Sequence, residues 1–319
     1  MVLVIPRNIV EELLKPKDAV RIVEKVFVDR GLGKVTLPSR IWVDSKIGSF
    51  GLMPSYMKSE NALGFKGVFF NPIKKPTIRA FIGLIDPEDG SLIALMDGDY
   101  ITAMRTGGIG AVAADKLSRQ DSRIVVVYGC GVQGRAQVTV LQVVRKIETI
   151  YAYDSHKPSL DNYVREMSEK LGIEVKPMNN PNEYVSNADI IITTTTSREP
   201  VFDGRLVKDG THINGIGSFS PETREIDENA VLRANKIFVD FKDDAIKSGD
   251  LKVPLDKGLI KLDSVYELSD LLVGKIQGRQ SSTEVTFFKS VGAAIFDIAT
   301  ATWVYNEAKK KGLGIETTL

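Results

Sequence analysis

The chain has 319 residues, 43% of them hydrophobic and 26% charged, which is enough to bury a core in each of two globular domains. Its 42 lysines and arginines balance 41 acidic residues, so no net field attracts nucleic acid or an anionic membrane. The single cysteine, Cys130, excludes internal disulfides and cysteine zinc cages, and with only two histidines, His156 and His212, a resident metal is not expected.

A reducing cytoplasm suits that cysteine count. The opening MVLVIPRNIV lacks the basic start and small-residue cleavage site of a secretion signal. No run approaches the roughly 20 apolar residues of a membrane span.

From the amino end, Ile9 to Leu14 and Ala19 to Val28 carry apolar residues at helical spacing. VTLPSRIWVD, GSFGLMPSYM, ALGFKGVFF, TIRAFIGLID and SLIALMD then read as β segments separated by turn residues. A small-residue helical run from Gly107 to Leu117 leads out of this α+β piece, and the texture changes near residue 115. Beyond it RIVVVYG, GRAQVTVLQVVRKI, TIYAYD, a helix from Pro158 to Leu171, IEVKPM, a short helix near Glu183, DIIITTTT, HINGIG, a helix from Asp227 to Asn235 and KIFVDF alternate strand with helix. Uninterrupted apolar strands between helices indicate a parallel, doubly wound sheet covered on both faces. After Ser282, EVTFFKSVGAAIFDIATATWVYNEAKKKG reads as one long helix returning to the first domain. The expected division is residues 1–115 with 290–319 as the α+β domain, and 116–289 as the doubly wound domain.

VVVYGCGVQGRAQ places Gly129, Gly131 and Gly134 after a strand and at the start of a helix, the setting that gives G-x-G-x-x-G its meaning. Gly129 permits the tight turn, Gly131 admits a pyrophosphate against the main chain, and Gly134 lets helix and strand approach. Backbone N–H groups at the helix start, Val132 and Gln133 among them, attract the phosphates. Asp154 ends the next strand, where an acidic group takes the ribose hydroxyls and favours NAD(H). His156 and Lys157 beside it leave NADP(H) admissible. Cys130 reads as a space-filling residue rather than a nucleophile. Among the threonines at 193–196, Thr194 and Thr195 either line the cofactor crevice or are ordinary β-branched strand residues.

Lys66 lies inside the apolar LGFKGVFF, where a lysine is costly unless it faces a cleft or a charged partner. That makes it a candidate acid/base, with burial lowering its pKa into a useful range.

Further motifs are GFKGV at 64–68, MDGDYITAMRTGGIGAVAADKLS at 96–118, DGTHINGIGSFSPETREID at 209–227, SGD at 248–250 and SVGAAIFD at 290–297. Together with the glycine turn, over nearly the whole chain, they resemble the ornithine cyclodeaminase/mu-crystallin family. The resemblance implies a Rossmann domain joined to an α+β domain completed by the C-terminal helix. It also implies a homodimer formed through that second domain, a substrate cleft between the two, and hydride transfer at the α-carbon of an amino or imino acid. By the same resemblance Arg105 and Arg40 clamp the substrate carboxylate and Lys66 meets its nitrogen. Thr106 touches cofactor phosphate, and Ser290 and Gly292 touch the nicotinamide.

One position departs from the pattern. Aligned on Pro221, Phe219 stands where cyclodeaminases and the alanine dehydrogenase carry an aspartate, while Glu222 and Glu225 nearby read as solvated loop acids. Without that carboxylate, reduction of a preformed imine such as Δ1-pyrroline-2-carboxylate is the expected activity, with Phe219 as an apolar wall of the pocket. The alternatives are a cyclodeaminase or alanine dehydrogenase activity, and a catalytically silent NAD(P)H-dependent ligand binder.

Overall fold

The computed structural model describes every residue except Pro72, Lys74, Lys75, Pro76 and Leu319. From the amino end run strand β1 (Val2–Ile5), helices α1 (Arg7–Leu13) and α2 (Pro16–Gly31), strands β2 (Val35–Thr36), β3 (Ile41–Ser45), β4 (Gly48–Met57), β5 (Ala62–Phe70), β6 (Ile78–Ile85) and β7 (Leu92–Asp97), and helix α3 (Asp99–Leu117). There follow β8 (Ile124–Tyr128), α4 (Val132–Leu141), β9 (Thr149–Tyr153), α5 (Lys157–Leu171), β10 (Glu174–Pro177), β11 (Ile190–Thr193), β12 (His212–Gly215), α6 (Glu228–Arg233), β13 (Lys236–Val239), α7 (Lys242–Ala245), α8 (Gly249–Asp256), β14 (Val265–Glu267), α9 (Leu268–Leu272) and β15 (Thr286–Lys289). The chain closes with α10 (Ala294–Lys311) and β16 (Ile315–Thr317).

Contacts gather into two compact units, Met1–Arg105 with Ala293–Leu319, and Thr106–Gly292. The first boundary therefore falls inside α3 rather than near its end, and the second falls just before α10 instead of at residue 290.

In the first unit the sheet order is β16-β1-β7-β6-β5-β4-β2, with β3 also on β4. All neighbours are antiparallel except β1 and β7. Alternation sets its faces, since β4 buries every second residue along its second half. Helix α10 covers the inner face of β4, β5 and β6 and packs on α2. Helix α2 starts at Pro16, whose missing N–H is no loss in a first turn, and buries Ala19, Ile22, Val23, Val26 and Phe27 at helical spacing. Phe27 meets Phe296 of α10 edge to face at 5.0 Å between ring centroids. Burying one such ring contributes about 1.5–3 kcal/mol.

In the second unit the strands are all parallel in the order β10-β9-β8-β11-β12-β15-β13-β14. Val126 and Tyr128 of β8 join one core with Ile191, Ile213 and Phe287. Val125 and Val127 join the other with Ile190 and Ile192. Burial on both faces is the reason these strands read as unbroken apolar runs. Strand order reverses between β8 and β11, and at such a switch point the carboxyl ends of an open sheet leave a crevice.

The structure corrects the reading after Ser282. Thr286–Lys289 is a strand lodged between β12 and β13, and the helix begins only at Ala294. A short apolar run buried all round looks alike as strand or helix, and the β-branched and aromatic VTFF settles it as strand. Helix α4 likewise stops at Leu141, before the Ile147 expected from the sequence, and the segment after Glu183 forms one 3-10 turn, Val185–Asn187.

Candidate active site

Lys66 of β5 pairs across the sheet with Met53 on one side and Ile82 on the other, so its stem lies among apolar neighbours on the face that α10 covers. It is 3% exposed, and its Nζ donates to Asp297 Oδ1 at 2.9 Å. Arg105, 6% exposed, donates from Nε to the same oxygen at 3.1 Å. Thr102 Oγ1 lies 3.2 Å from that oxygen and also donates to the Gly98 carbonyl at 2.6 Å. Three elements, β5, α3 and the first turn of α10, thus converge on one fully buried carboxylate. The second oxygen of Asp297 has no hydrogen-bond partner among the described residues. Neither the remaining ammonium hydrogens of Lys66 nor the terminal nitrogens of Arg105 make a hydrogen bond among those residues.

Burial pushes the Lys66 ammonium down from 10.5 to about 8, opposed by Asp297 and reinforced by the charges of Arg105 and Arg40. Burial acts against ionising Asp297 too, yet Arg105 and Lys66 hold its carboxyl below the usual range. Arg40 immediately precedes β3, whose Ile41 pairs with Leu52, the neighbour of Met53. Lys66, Arg105 and Arg40 therefore form one electrostatic group within the first unit. Asp297 escaped the sequence reading, although a lone acid in the apolar AIFDIA is an anomaly of the same kind as Lys66.

In the second unit the glycine turn has the geometry its sequence asks for. Gly129 adopts φ +94°, a left-handed conformation suited to glycine, and a side chain there would lie 2.8 Å from the Thr194 carbonyl. A side chain on Gly134 would strike the Gly129 carbonyl. At Gly131, by contrast, nothing lies within 4 Å of where a Cβ would stand. Val132 is exposed at the start of α4, and the buried Gln133 Oε1 has no partner among the described residues. Asp154 accepts from the N–H of Cys130 and of His156, each at 2.8 Å, so it pins the turn as well as standing beside it. Thr194 donates to the carbonyls of Tyr128 and Gly129 at 3.0 and 2.9 Å.

Thr106 is tied to α4 through Gln137, whose Nε2 donates to its carbonyl at 2.7 Å. Burial raises the Cys130 thiol to about 12, in keeping with an inert filler.

The profile of the ornithine cyclodeaminase/mu-crystallin family matches residues 2–312. The chain belongs to this family. Among its curated relatives, the Δ1-pyrroline-2-carboxylate reductase of Bacillus thuringiensis subsp. konkukian is 36% identical over 82% of this chain and 82% of its own length. The Thermococcus litoralis Δ1-pyrroline-2-carboxylate reductase, solved with NADH and L-proline, superposes with a TM-score of 0.96 at 36% identity and covers 99% of this chain and 100% of its own. An archaeal alanine dehydrogenase dimer with bound NAD superposes at 0.92 with 32% identity over 100% and 99% of the two chains.

Within this ornithine cyclodeaminase/mu-crystallin chain the loop after β12 corrects one expectation. Glu225 is fully buried rather than solvated. Its carboxylate accepts from the N–H of Thr195, from Gly217 N at 2.7 Å, from Ser218 N at 3.0 Å and from the Thr193 hydroxyl at 2.9 Å. Asp250 holds the N–H groups of Glu225 and Ile226 and pairs with Lys289 at 2.9 Å. Burial raises the Glu225 carboxyl, with Lys289 opposing and Asp250 adding. Glu222 is exposed as expected, and Phe219 is exposed on the same loop.

Ser290 donates from Oγ, and Gly292 from N–H, to Asp240 Oδ2, both at 2.7 Å. Asp240, like Asp297, carried no signal in a single sequence beyond being an acid in an apolar run.

Proposed function

We propose that the protein is an NADH-dependent reductase of small cyclic α-imino acids, Δ1-pyrroline-2-carboxylate or a near homologue. The observation that carries this reading is the buried Lys66–Asp297–Arg105 group, in which a lysine poised at about 8 and an arginine each have donors left over beyond Asp297. A planar guanidinium suits bidentate capture of the substrate carboxylate, and Arg40 adds a second positive charge. Lys66 delivers one proton to the imine nitrogen, so the C=N bond gains a hydride and a proton and becomes a secondary amine. NAD(H), when bound, supplies the hydride to the α-carbon.

The second unit fits such a cofactor. Open space at Gly131 would take a pyrophosphate. Val132, Gln133, Gly134 and Thr106 would surround the phosphates, Thr194 and Thr195 the crevice, and Ser290 and Gly292 the nicotinamide. Asp154 keeps lone pairs for ribose hydroxyls after accepting two N–H groups, and its charge disfavours a 2′-phosphate, with NADP(H) a poorer fit. Phe219 supplies an apolar wall, and Glu225, engaged with three amides, supplies no replacement for the aspartate of deaminating relatives. A preformed imine needs neither water nor ammonia activated.

The test is NADH oxidation by the purified protein with Δ1-pyrroline-2-carboxylate, against alanine and ornithine with NAD+. Turnover of the amino acids without turnover of the imine would overturn the reading.

A homodimer through the first unit accompanies this reading. Ile41 and Val43 of β3 are 56% and 60% exposed, and by register they share the outer sheet face with Leu52, Phe50 and Phe69. Exposed Phe81 lies on the same face, 6.4 Å from Phe50 between ring centroids. An apolar face of this kind asks for a partner surface. Sedimentation velocity of the wild type and of Val43→Glu checks it, the variant being expected to dissociate. A cytoplasmic setting agrees with the single buried thiol, and among the described residues no helix is long and apolar enough to cross a membrane.

A further inference from the structure

We infer that Asp297 is the positioning residue of this site: one of its oxygens locks the Lys66 ammonium and the Arg105 guanidinium together, so that proton donor and carboxylate clamp hold a fixed spacing. The reaction it serves rests on the reading above, but the geometry does not. Lys66 stands on a sheet strand and Arg105 on α3. Asp297, presented from the first turn of α10, bridges them at 2.9 and 3.1 Å. That end of a helix also favours a carboxylate through its dipole.

Both cations share Oδ1 of Asp297, and its Oδ2 has no hydrogen-bond partner among the described residues. Sharing one oxygen turns the Arg105 Nε edge toward Asp297 and leaves the terminal nitrogens for a ligand carboxylate. It also leaves Lys66 with two further hydrogens to present to a nitrogen.

The charges around Lys66 give Asp297 a second effect, on the proton. Around Lys66 stand Arg105 from α3, Arg40 before β3 and Asp297 from α10, while its cross-strand neighbours Met53 and Ile82 are apolar. Two of the three charged neighbours expel its proton and only Asp297 retains it. An opposite charge at this distance is worth about 1–3 pKa units.

The experiment is the pH dependence of kcat/KM for whichever imino or amino acid the wild type turns over, in Asp297→Asn, Asp297→Glu and Arg105→Gln. Asp297→Asn is expected to move the Lys66 limb, alkaline for imine reduction and acid for amino-acid oxidation, down by about 1–3 units. Asp297→Glu should return it toward the wild-type position. Arg105→Gln should move it upward while raising KM more than it lowers kcat. Unchanged limbs in soluble variants, with activity merely reduced, would overturn the assignment. Should Asp297→Asn not fold, the absence of an upward shift in Arg105→Gln overturns it alone. Failure of the proposed reaction shows differently, as a wild type inactive on the imine.

Discussion

Raising the pH through the range where Lys66 loses its proton should switch the reductase off earlier than an ordinary lysine would allow. Lys66 sits at about 8 instead of 10.5, because burial and the guanidinium charges of Arg105 and Arg40 outweigh Asp297. The acid form is the working form in reduction, so the rate is full below that value and lost above it. One unit above the midpoint about a tenth of the lysine remains protonated, and each further unit removes roughly another factor of ten. A lysine left at 10.5 would still be more than about nine-tenths protonated at that same pH.

The assay is initial NADH oxidation at subsaturating Δ1-pyrroline-2-carboxylate over a pH series at constant ionic strength. The imine nitrogen titrates too, and Lys66→Arg separates the two, because arginine does not deprotonate in this range. The residual activity of Lys66→Arg should have lost the limb near 8. A limb that persists there belongs to the substrate, and a wild-type profile flat for about two units above 8 would refute the proposed proton donor.

Lys66→Ala should lower turnover by roughly 10²–10⁴-fold, the usual worth of a positioned acid, while NADH fluorescence enhancement persists because the glycine turn is in the other unit. Asp154→Asn should raise the NADPH/NADH ratio of kcat/KM by about tenfold, equivalent to ~1.4 kcal/mol of removed repulsion; an unchanged ratio would deny Asp154 its part in cofactor choice. His212 is fully buried, and burial first and Arg279 next push its imidazole from 6.5 down to about 3. The unfolded chain therefore takes up the proton first, and stability present above about 6.5 drains away as pH falls toward 3, by on the order of 5 kcal/mol. Urea midpoints for wild type and His212→Gln across that window should show the shallower slope in the variant.

The sheet of the second unit was legible because strands buried on both faces have no polar alternation to confuse them, and the glycine turn because each glycine answers a steric demand. The β15 strand was not, since VTFF carries no period that separates a core strand from a core helix. Glu225 was misread because its loop is acidic and polar throughout, and only the fold shows that its oxygens face three backbone amides.

Lys66 was legible by a single rule, that a charge inside an apolar run must have a partner, and the rule stops there. It does not find Asp297, 231 residues away. Applied to VTFFKS it selects Lys289 just as firmly, and Lys289 is fully buried with its ammonium 2.9 Å from Asp250, an ion pair without a hydrogen bond. What separates the two lysines is the balance of charge around them. Lys289 stands between Asp250 and Glu225, so its cluster already has acid to spare and offers an anion nothing. Lys66 and Arg105 divide one carboxylate oxygen between them with Arg40 close by, leaving a buried excess of positive charge that an incoming carboxylate would relieve. Sequence marks where charge is buried, and only the three-dimensional tally of signs tells a brace from a binding site.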